Sequence, residues 1–298
     1  MPLAKKKPLI PIKYPLWFIL PGLAIYILFL VVPTFSGFFY SFTNWSSLSG
    51  NDVSFVGFKQ FTEVWRNPDL GTAFKNTFVY SITITVVKNV LALALALILN
   101  EKLKSRNALR AIYFSPIILN VVAMGLIFRG LLDPYNGFVN NTLRELGLGF
   151  FAVGWIADPT WAIHSTSLME IWRATGLSMA IYLAGLQAIP KDYYEASTID
   201  GAGFWQKFKS ITLPLLGPAI TVNVLLCLIY GFNMFEVIYF LTGGGPGSSS
   251  QVLMTMAYKY MGMGLYGYSA AINVILVLLN IAVSLPVLFY LRKREVEL

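Results

Sequence analysis

Histidine and cysteine are almost absent from this chain, and charge is scarce. The 298 residues include one histidine, His164, and one cysteine, Cys227. A single thiol rules out an intramolecular disulfide. A site built from several His and Cys ligands is excluded for the same reason. Only 12% of residues are charged, against about 25% in a soluble domain. Hydrophobic residues make up 56% and mean hydropathy is +0.65, the composition of a polytopic membrane protein. In a soluble protein the net charge of +8 would suggest nucleic acid. Here the basic residues lie mostly between and outside apolar stretches, so membrane orientation accounts for them and no nucleic-acid partner is expected.

A helix that crosses a bilayer needs about 20 mostly apolar residues. Six stretches qualify, at about 17–42, 74–99, 109–131, 167–188, 215–241 and 268–291. The expected fold is therefore all-α with six transmembrane helices. Lys5, Lys6 and Lys7 ahead of an apolar run imitate a signal peptide, but the run continues to about Phe42. That is well beyond the ~7–15 residues of a signal core, so a retained first helix is expected. Pro33, Pro116 and Pro286 fall within spans, where kinks are tolerated if neighbouring groups satisfy the freed carbonyls.

Lys and Arg divide unevenly between the two sides. One side collects Lys5, Lys6, Lys7, Lys13, Lys102, Lys104, Arg106, Arg110, Lys191, Lys207, Lys209, Arg292, Lys293 and Arg294. The other holds Lys59, Arg66, Lys75, Arg144 and Lys259, with Arg129 near a boundary. The positive-inside rule then places both termini in the cytoplasm. The outer loops, about 44–73 and 132–166, are too short to read as independent domains. Trp17, Trp45, Tyr135, Trp155 and Trp161 fall near span ends, where amphipathic rings favour the headgroup zone.

The segment between the fourth and fifth stretches holds more than a turn. In Pro190-Lys191-Asp192-Tyr193-Tyr194-Glu195, Asp192 is placed to cap free N–H groups and Glu195 follows three residues later, as in a capping box. Ala196, Ser197 and Ala202 are small, and Gly201 is placed to end a short helix in a left-handed cap. A second short helix is expected at 204–210, with Pro214 opening the next span. From local physics alone, two readings stand level. One is a connector that dips Tyr193, Tyr194, Phe204 and Trp205 into lipid. The other is a surface of small side chains gripped by another protein.

Glu195-Ala196-Ser197, Asp200-Gly201-Ala202-Gly203 and Ile211-Thr212-Leu213-Pro214 resemble the cytoplasmic coupling motif of ABC-importer permeases, with Ser197 where Ala is common. Leu20-Pro21-Gly22, Ser41 to Trp45, Phe55 to Phe58, Phe74 to Thr77, Leu183 to Pro190 and Leu241 to Gly247 extend the resemblance over nearly the whole chain. They are similar to the maltose and glycerol-phosphate branch of binding-protein-dependent type I importers. The resemblance implies a bacterial or archaeal plasma-membrane permease subunit for carbohydrate. Its implied partners are a second, related permease, two cytoplasmic ATPases and an extracytoplasmic binding protein. ATP and Mg would sit on the ATPases, with no cofactor or metal in this chain and no catalysis by it. Residues 1–72 would form the cytoplasmic N-terminus, first helix and first outer loop, and 73–298 the permease core with a coupling loop at 190–213. Tyr194, Glu195, Ala196, Ser197, Asp200, Gly201 and Ala202 would carry the ATPase contact.

Ionisable groups inside spans are costly and point to function. Lys88, Glu170, Arg173 and Glu236 are of this kind. Glu170 and Arg173 are three apart on one helix face; pore lining and structural pairing stand as equal readings. Tyr230, Asn233 and Glu236 recur at every third position, with Gly231 and Met234 adjacent. This supplies the aromatic face and the amide and carboxylate groups that sugar hydroxyls require. The resemblance aligns this stretch, and the one around Glu170, Arg173, Ala174 and Leu177, with segments that line the sugar path. Asn223 and Cys227 read as helix-packing residues, and Asn120 as either pore-lining or an interhelical hydrogen bond. Gly243 to Ser248 lacks the Lys of a phosphate loop, so ATP chemistry falls to another chain. The alternative class is a stand-alone secondary transporter or channel, which needs an ion gradient and no ATPase. A membrane enzyme is disfavoured, because no catalytic constellation stands at a telling spacing.

Overall fold

Chain geometry follows the apolar runs, but two of the expected spans break. The structure, a computed structural model, describes residues 16–47, 52–101 and 103–295. Lys5, Lys6, Lys7, Lys13 and Lys102 therefore lie outside the described residues. Among the described residues the only extended pairing is a single bridge between Thr43 and Phe55.

In chain order the helices are α1 (Leu20–Tyr40), α2 (Lys59–Trp65), α3 (Pro68–Asn100), α4 (Arg106–Ile118), α5 (Val121–Leu131) and α6 (Phe138–Glu145). Then follow α7 (Ala162–Ala188), α8 (Lys191–Ile199), α9 (Phe204–Leu215), α10 (Gly217–Phe232), α11 (Glu236–Leu241), α12 (Leu253–Gly262) and α13 (Tyr266–Arg292). By length and composition α1, α3 and α13 can each cross a membrane, and two bent pairs, α4–α5 and α9–α10, can do so if each pair is one span. α7 is about 40 Å long at ~1.5 Å per residue, but it carries Glu170 and Arg173 in its middle.

Local chemistry explains where helices start. At α3, Asn67 accepts a hydrogen bond from the Asp69 N–H at 2.9 Å, with Pro68 in the first turn. At α5, Asn120 does the same for the Val122 N–H at 2.8 Å. Asn120 is thus a helix cap, and this hydrogen bond is local to α5 rather than between helices. Pro116 sits in a tight turn just before it, and the chain restarts at 98° to α4. The third expected span is therefore not one continuous helix. The fifth is also interrupted. α9 meets α10 at 68°, and α10 ends at Phe232, short of the expected 241. Pro214 lies near the end of α9 and does not open α10. Wide π-type turns at Phe208–Thr212 and Ile27–Val31 precede Pro214 and Pro33. Such turns relieve the clash between a proline ring and the carbonyl four residues back.

α3 and α7 pack along their lengths, α10 crosses both, and α13 lies against α10, α12 and α2. Tyr80, Ile84, Met124, Met169, Met234 and Ile238 form one core. Ala92, Ala96, Leu99, Tyr182, Leu186, Ile189 and Leu216 form another. The second core joins the ends of α3 and α7 to the start of α10. At the α3–α10 crossing, a Cβ on Gly231 would come within 2.8 Å of the Ser81 Oγ and 2.9 Å of the Ser81 Cα. Only a residue without a side chain permits that approach. The most apolar stretch of α1 buries nothing against the rest of the chain.

Candidate functional site

Two features concentrate polar chemistry: a seam between α3, α7 and α10, and the hairpin made by α8 and α9.

The seam arises from helical periodicity. Glu170, Arg173, Ala174, Leu177, Ser178 and Ile181 share one face of α7, and Asn223, Leu226, Cys227 and Tyr230 share one face of α10. These faces, with Lys88 from α3 and Ile117 from α4, line a half-open cavity of about 300 Å³. Glu170 is fully buried. Its Oε2 accepts from the Arg173 Nε at 2.9 Å. The Arg173 Nη2 donates to the Tyr230 hydroxyl at 2.6 Å. The Lys88 Nζ lies 3.9 Å from the Glu170 Oε1 and 5.7 Å from the centre of the Tyr230 ring. Buried charges persist only when paired and hydrogen-bonded. Here one carboxylate on α7 faces a cation on its own helix and another on α3, so the network ties the two helices together.

Below this network, the Asn223 Nδ2 donates to the Ser178 carbonyl at 3.0 Å, and the Ser178 Oγ lies 3.7 Å from the Cys227 Sγ. Asn223 and Cys227 thus join α10 to α7 while also lining the cavity. The Tyr182 hydroxyl donates to the Asn89 Oδ1 at 2.6 Å.

Of the eight residues expected along the path, Glu170, Arg173, Leu177 and Tyr230 line this cavity. The others do not. Gly231 is packed against α3, and Met234 belongs to the buried core. Asn233 is exposed, and its Nδ2 turns back to the Ile229 carbonyl at 2.8 Å. Glu236 is exposed in the first turn of α11. The every-third spacing of Tyr230, Asn233 and Glu236 presumes an unbroken helix. The chain leaves α10 after Phe232, so the three residues do not share a face. Ser178, Asn223 and Cys227 enter the cavity without having been singled out for it, and Lys88, noted only as a costly charge within a span, joins them. The charge of Lys88 was visible in sequence, but not which helix it would face.

The hairpin is built from local signals. Pro190 precedes α8 in extended geometry, and Asp192 makes no side-chain capping bond. The expected Asp192 cap is therefore corrected. The helix starts one residue before Asp192, which leaves its carboxylate inside the first turn, where it acts on the helix dipole. Gly201 has φ +74°. The Gly201 N–H donates to the Thr198 carbonyl at 3.1 Å and the Ala202 N–H to the Ser197 carbonyl at 2.9 Å. This is a Schellman motif.

Cross-bonds then close the hairpin. The Tyr194 and Thr212 hydroxyls lie 3.0 Å apart, and the Lys207 Nζ donates to the Thr198 Oγ1 at 2.7 Å. Ser197 is buried and Tyr194 packs on the core that joins α3, α7 and α10. Ala202 is half-buried. Glu195, Ala196, Asp200 and Gly201 face outward, and Ile199 is 87% exposed. The outward set is acidic, small and apolar at its tip.

A bundle of long apolar helices with a charged seam and a hairpin at one end has the make-up of a polytopic membrane protein. Comparison with known proteins makes the class specific: the chain belongs to the family of binding-protein-dependent transport system inner membrane components, which matches residues 88–294. It is 36% identical over 265 residues to the trehalose/maltose transport system permease protein MalF of Thermococcus litoralis, covering 86% of each chain. It is 32% identical over 274 residues to a probable ABC transporter permease protein, YurN, of Bacillus subtilis, covering 91% of this chain and 93% of that one. Its fold is similar to a chain in the crystal structure of a bacterial ABC transporter involved in import of the acidic polysaccharide alginate. There the TM-score is 0.81 at 25% identity, covering 93% and 94% of the two chains.

Proposed function

We propose that this chain is a permease subunit of an ATP-binding-cassette importer that carries carbohydrate, and that the α8–α9 hairpin couples it to an ATPase. The observation that carries the coupling role is the hairpin itself. A Schellman turn and two cross-bonds hold it rigid, its inner face is fixed to the core that joins α3, α7 and α10, and Glu195, Ala196, Ile199 and Gly201 project from it. The carbohydrate class is supported by relatives named for trehalose and maltose and for arabinooligosaccharides, and by the alginate importer of similar fold.

In this reading α7 is the lever. Its hairpin end and Glu170 are about 28 Å apart at ~1.5 Å per residue. A push on the hairpin from a closing ATPase shifts the seam between outward and inward arrangements, which is a population shift driven by differential contacts. The chain crosses the membrane six times, with α4–α5 as one crossing and α9–α10 as another, and both termini are cytoplasmic, as the Lys and Arg bias supports. A second, related permease, two ATPase subunits that hold ATP and Mg, and an extracytoplasmic binding protein complete the importer.

The test is ATP-dependent sugar uptake in proteoliposomes of the assembled importer, comparing wild type with Glu195→Ala plus Gly201→Asp. Uptake lost with the membrane pair still assembled and ATPase docking weakened is the expected result. Unchanged uptake refutes the coupling role. Uptake by this chain alone without ATP replaces the proposal with a secondary transporter.

A further inference from the structure

The two arms of the hairpin differ in charge and in what they expose. α8 with its turn carries one lysine, Lys191, against three carboxylates, Asp192, Glu195 and Asp200. α9 carries Lys207 and Lys209 and no carboxylate. Its first turn bares two large rings: Phe204 is 66% and Trp205 75% exposed. With Phe208 they form one cluster, ring centres 5.6 to 6.5 Å apart. At helical spacing the three rings share a face, Gln206 lies on the opposite side, and Lys207 and Lys209 flank the rings.

The bend between α9 and α10 sets how this face meets a bilayer. α9 meets α10 at 68°. With α10 along the bilayer normal, α9 lies about 22° from the membrane plane (90 − 68). The surrounding end of the bundle is basic. Leu109 of α4 and Leu215 of α9 pack on one core, which brings Lys104 and Arg106 to this end. A Cβ on Gly217, at the bend, would lie 3.4 Å from the Glu295 Cα, so Arg292, Lys293 and Arg294 stand beside it. Among the described residues the acids at this end outside the α8 arm are Glu101 and Glu295.

A helix near the membrane plane, with an aromatic face between lysines, is built as an interfacial anchor. Its rings favour headgroup depth, and lysine stems reach past them to lipid phosphates. Anionic headgroups attract α9 and repel the acidic α8 arm. We propose that α9 is seated in the cytoplasmic leaflet, with its rings at the acyl boundary and Lys209 on anionic phospholipid headgroups. The α8 arm is left facing away from lipid, free to meet a protein. The proposal rests on reading the chain as a membrane permease with this end cytoplasmic, and it adds a lipid-binding surface to the hairpin.

The experiment places a nitroxide label at single sites of the assembled importer in nanodiscs of phosphatidylcholine and phosphatidylglycerol. Collision with oxygen, which concentrates among acyl chains, is compared with collision with a water-soluble nickel chelate. Cys227 is buried, so the unsubstituted chain supplies the labelling background. Trp205→Cys, where the nitroxide ring replaces the indole with another apolar group, is expected to favour oxygen, and Gln206→Cys to favour nickel. If Trp205→Cys does not assemble, Phe204→Cys takes its place. A lysine near an anionic surface is worth about five-fold in binding. Adding Lys209→Gln should therefore cut the ratio of lipid-seated to water-exposed label at position 205 about five-fold. A ratio that ignores both Lys209→Gln and the phosphatidylglycerol content overturns the proposal. So does a label at 205 that favours nickel, since the face is then in water. A label shielded from both reagents until the ATPase is stripped away also overturns it, because protein then covers the face. Val90→Cys on α3, at a position 63% exposed on a long apolar helix, is the control for the bilayer itself. Nickel preference at both 90 and 205 counts against the membrane reading; oxygen at 90 with nickel at 205 counts only against the anchor.

Discussion

Gly201→Ala separates backbone strain from steric contact at the hairpin turn. Gly201 sits at φ +74°, in the region that L-residues with a Cβ avoid. A Cβ built there meets nothing within 4 Å. The substitution therefore carries no clash within the chain, only the left-handed backbone penalty of about 1–2 kcal/mol. That corresponds to roughly a 5- to 30-fold shift in the population of the turn. The two Schellman bonds, Gly201 to Thr198 and Ala202 to Ser197, report it directly. Hydrogen exchange of those amides, expressed as protection factors, should fall by that factor in Gly201→Ala. Gly201→Asn should stay within a few-fold of wild type, because Asn tolerates the left-handed region. In transport assays of the full importer, Gly201→Ala should hydrolyse more ATP per sugar moved and Gly201→Asn should not. Equal protection in wild type and Gly201→Ala would refute the strain argument. Equal loss of coupling in both variants, with protection kept in Gly201→Asn, would show that a partner's surface excludes any side chain there.

Two further outcomes follow from the packing. Glu170→Ala strands the cations of Lys88 and Arg173 in the seam, and removing one partner of a buried ion pair destabilises by about 3–5 kcal/mol. Thermal unfolding in detergent should show this, with most of it recovered when Lys88→Met and Arg173→Met are added. Gly231→Val places a side chain where a Cβ alone comes within 2.9 Å of the α3 backbone at Ser81. It should destabilise by roughly 1–3 kcal/mol, whereas Asn233→Ala, at an exposed position, should stay within about 0.5 kcal/mol. A chemical denaturation series covers both.

Local sequence signals held where a single residue type dictates geometry. Gly201 was readable as a left-handed helix end because that conformation has few other occupants, and the observed φ agrees. The Asn67 cap also follows from residue type and position. Asn120 shows the opposite case. Its apolar surroundings suggested mid-membrane placement, yet it caps α5 at a sharp bend, because Pro116 nearby favours a break that hydropathy alone does not register. Asp192 was read two positions out of register: Pro190 is the N-cap and α8 starts at Lys191, which puts Asp192 inside the helix.

The candidate path divides in the same way. Glu170 and Arg173 pair on one helix face, as their spacing requires. Tyr230 joins them, while Asn233 does not, because α10 ends between the two. Lys88 completes the network from a helix that lies 82 positions earlier than Glu170 in sequence (170 − 88).

By itself, the amino-acid sequence determined that this is a membrane protein, where its apolar stretches lie and how the α8–α9 turn is made, since burial in lipid and backbone conformation depend on composition and on single residue types. Tertiary structure alone decided which faces of α3, α7 and α10 meet. The rotation of each helix about its axis is set by contacts such as Gly231 on Ser81 and Asn223 on Ser178, and those contacts exist only once the helices have packed.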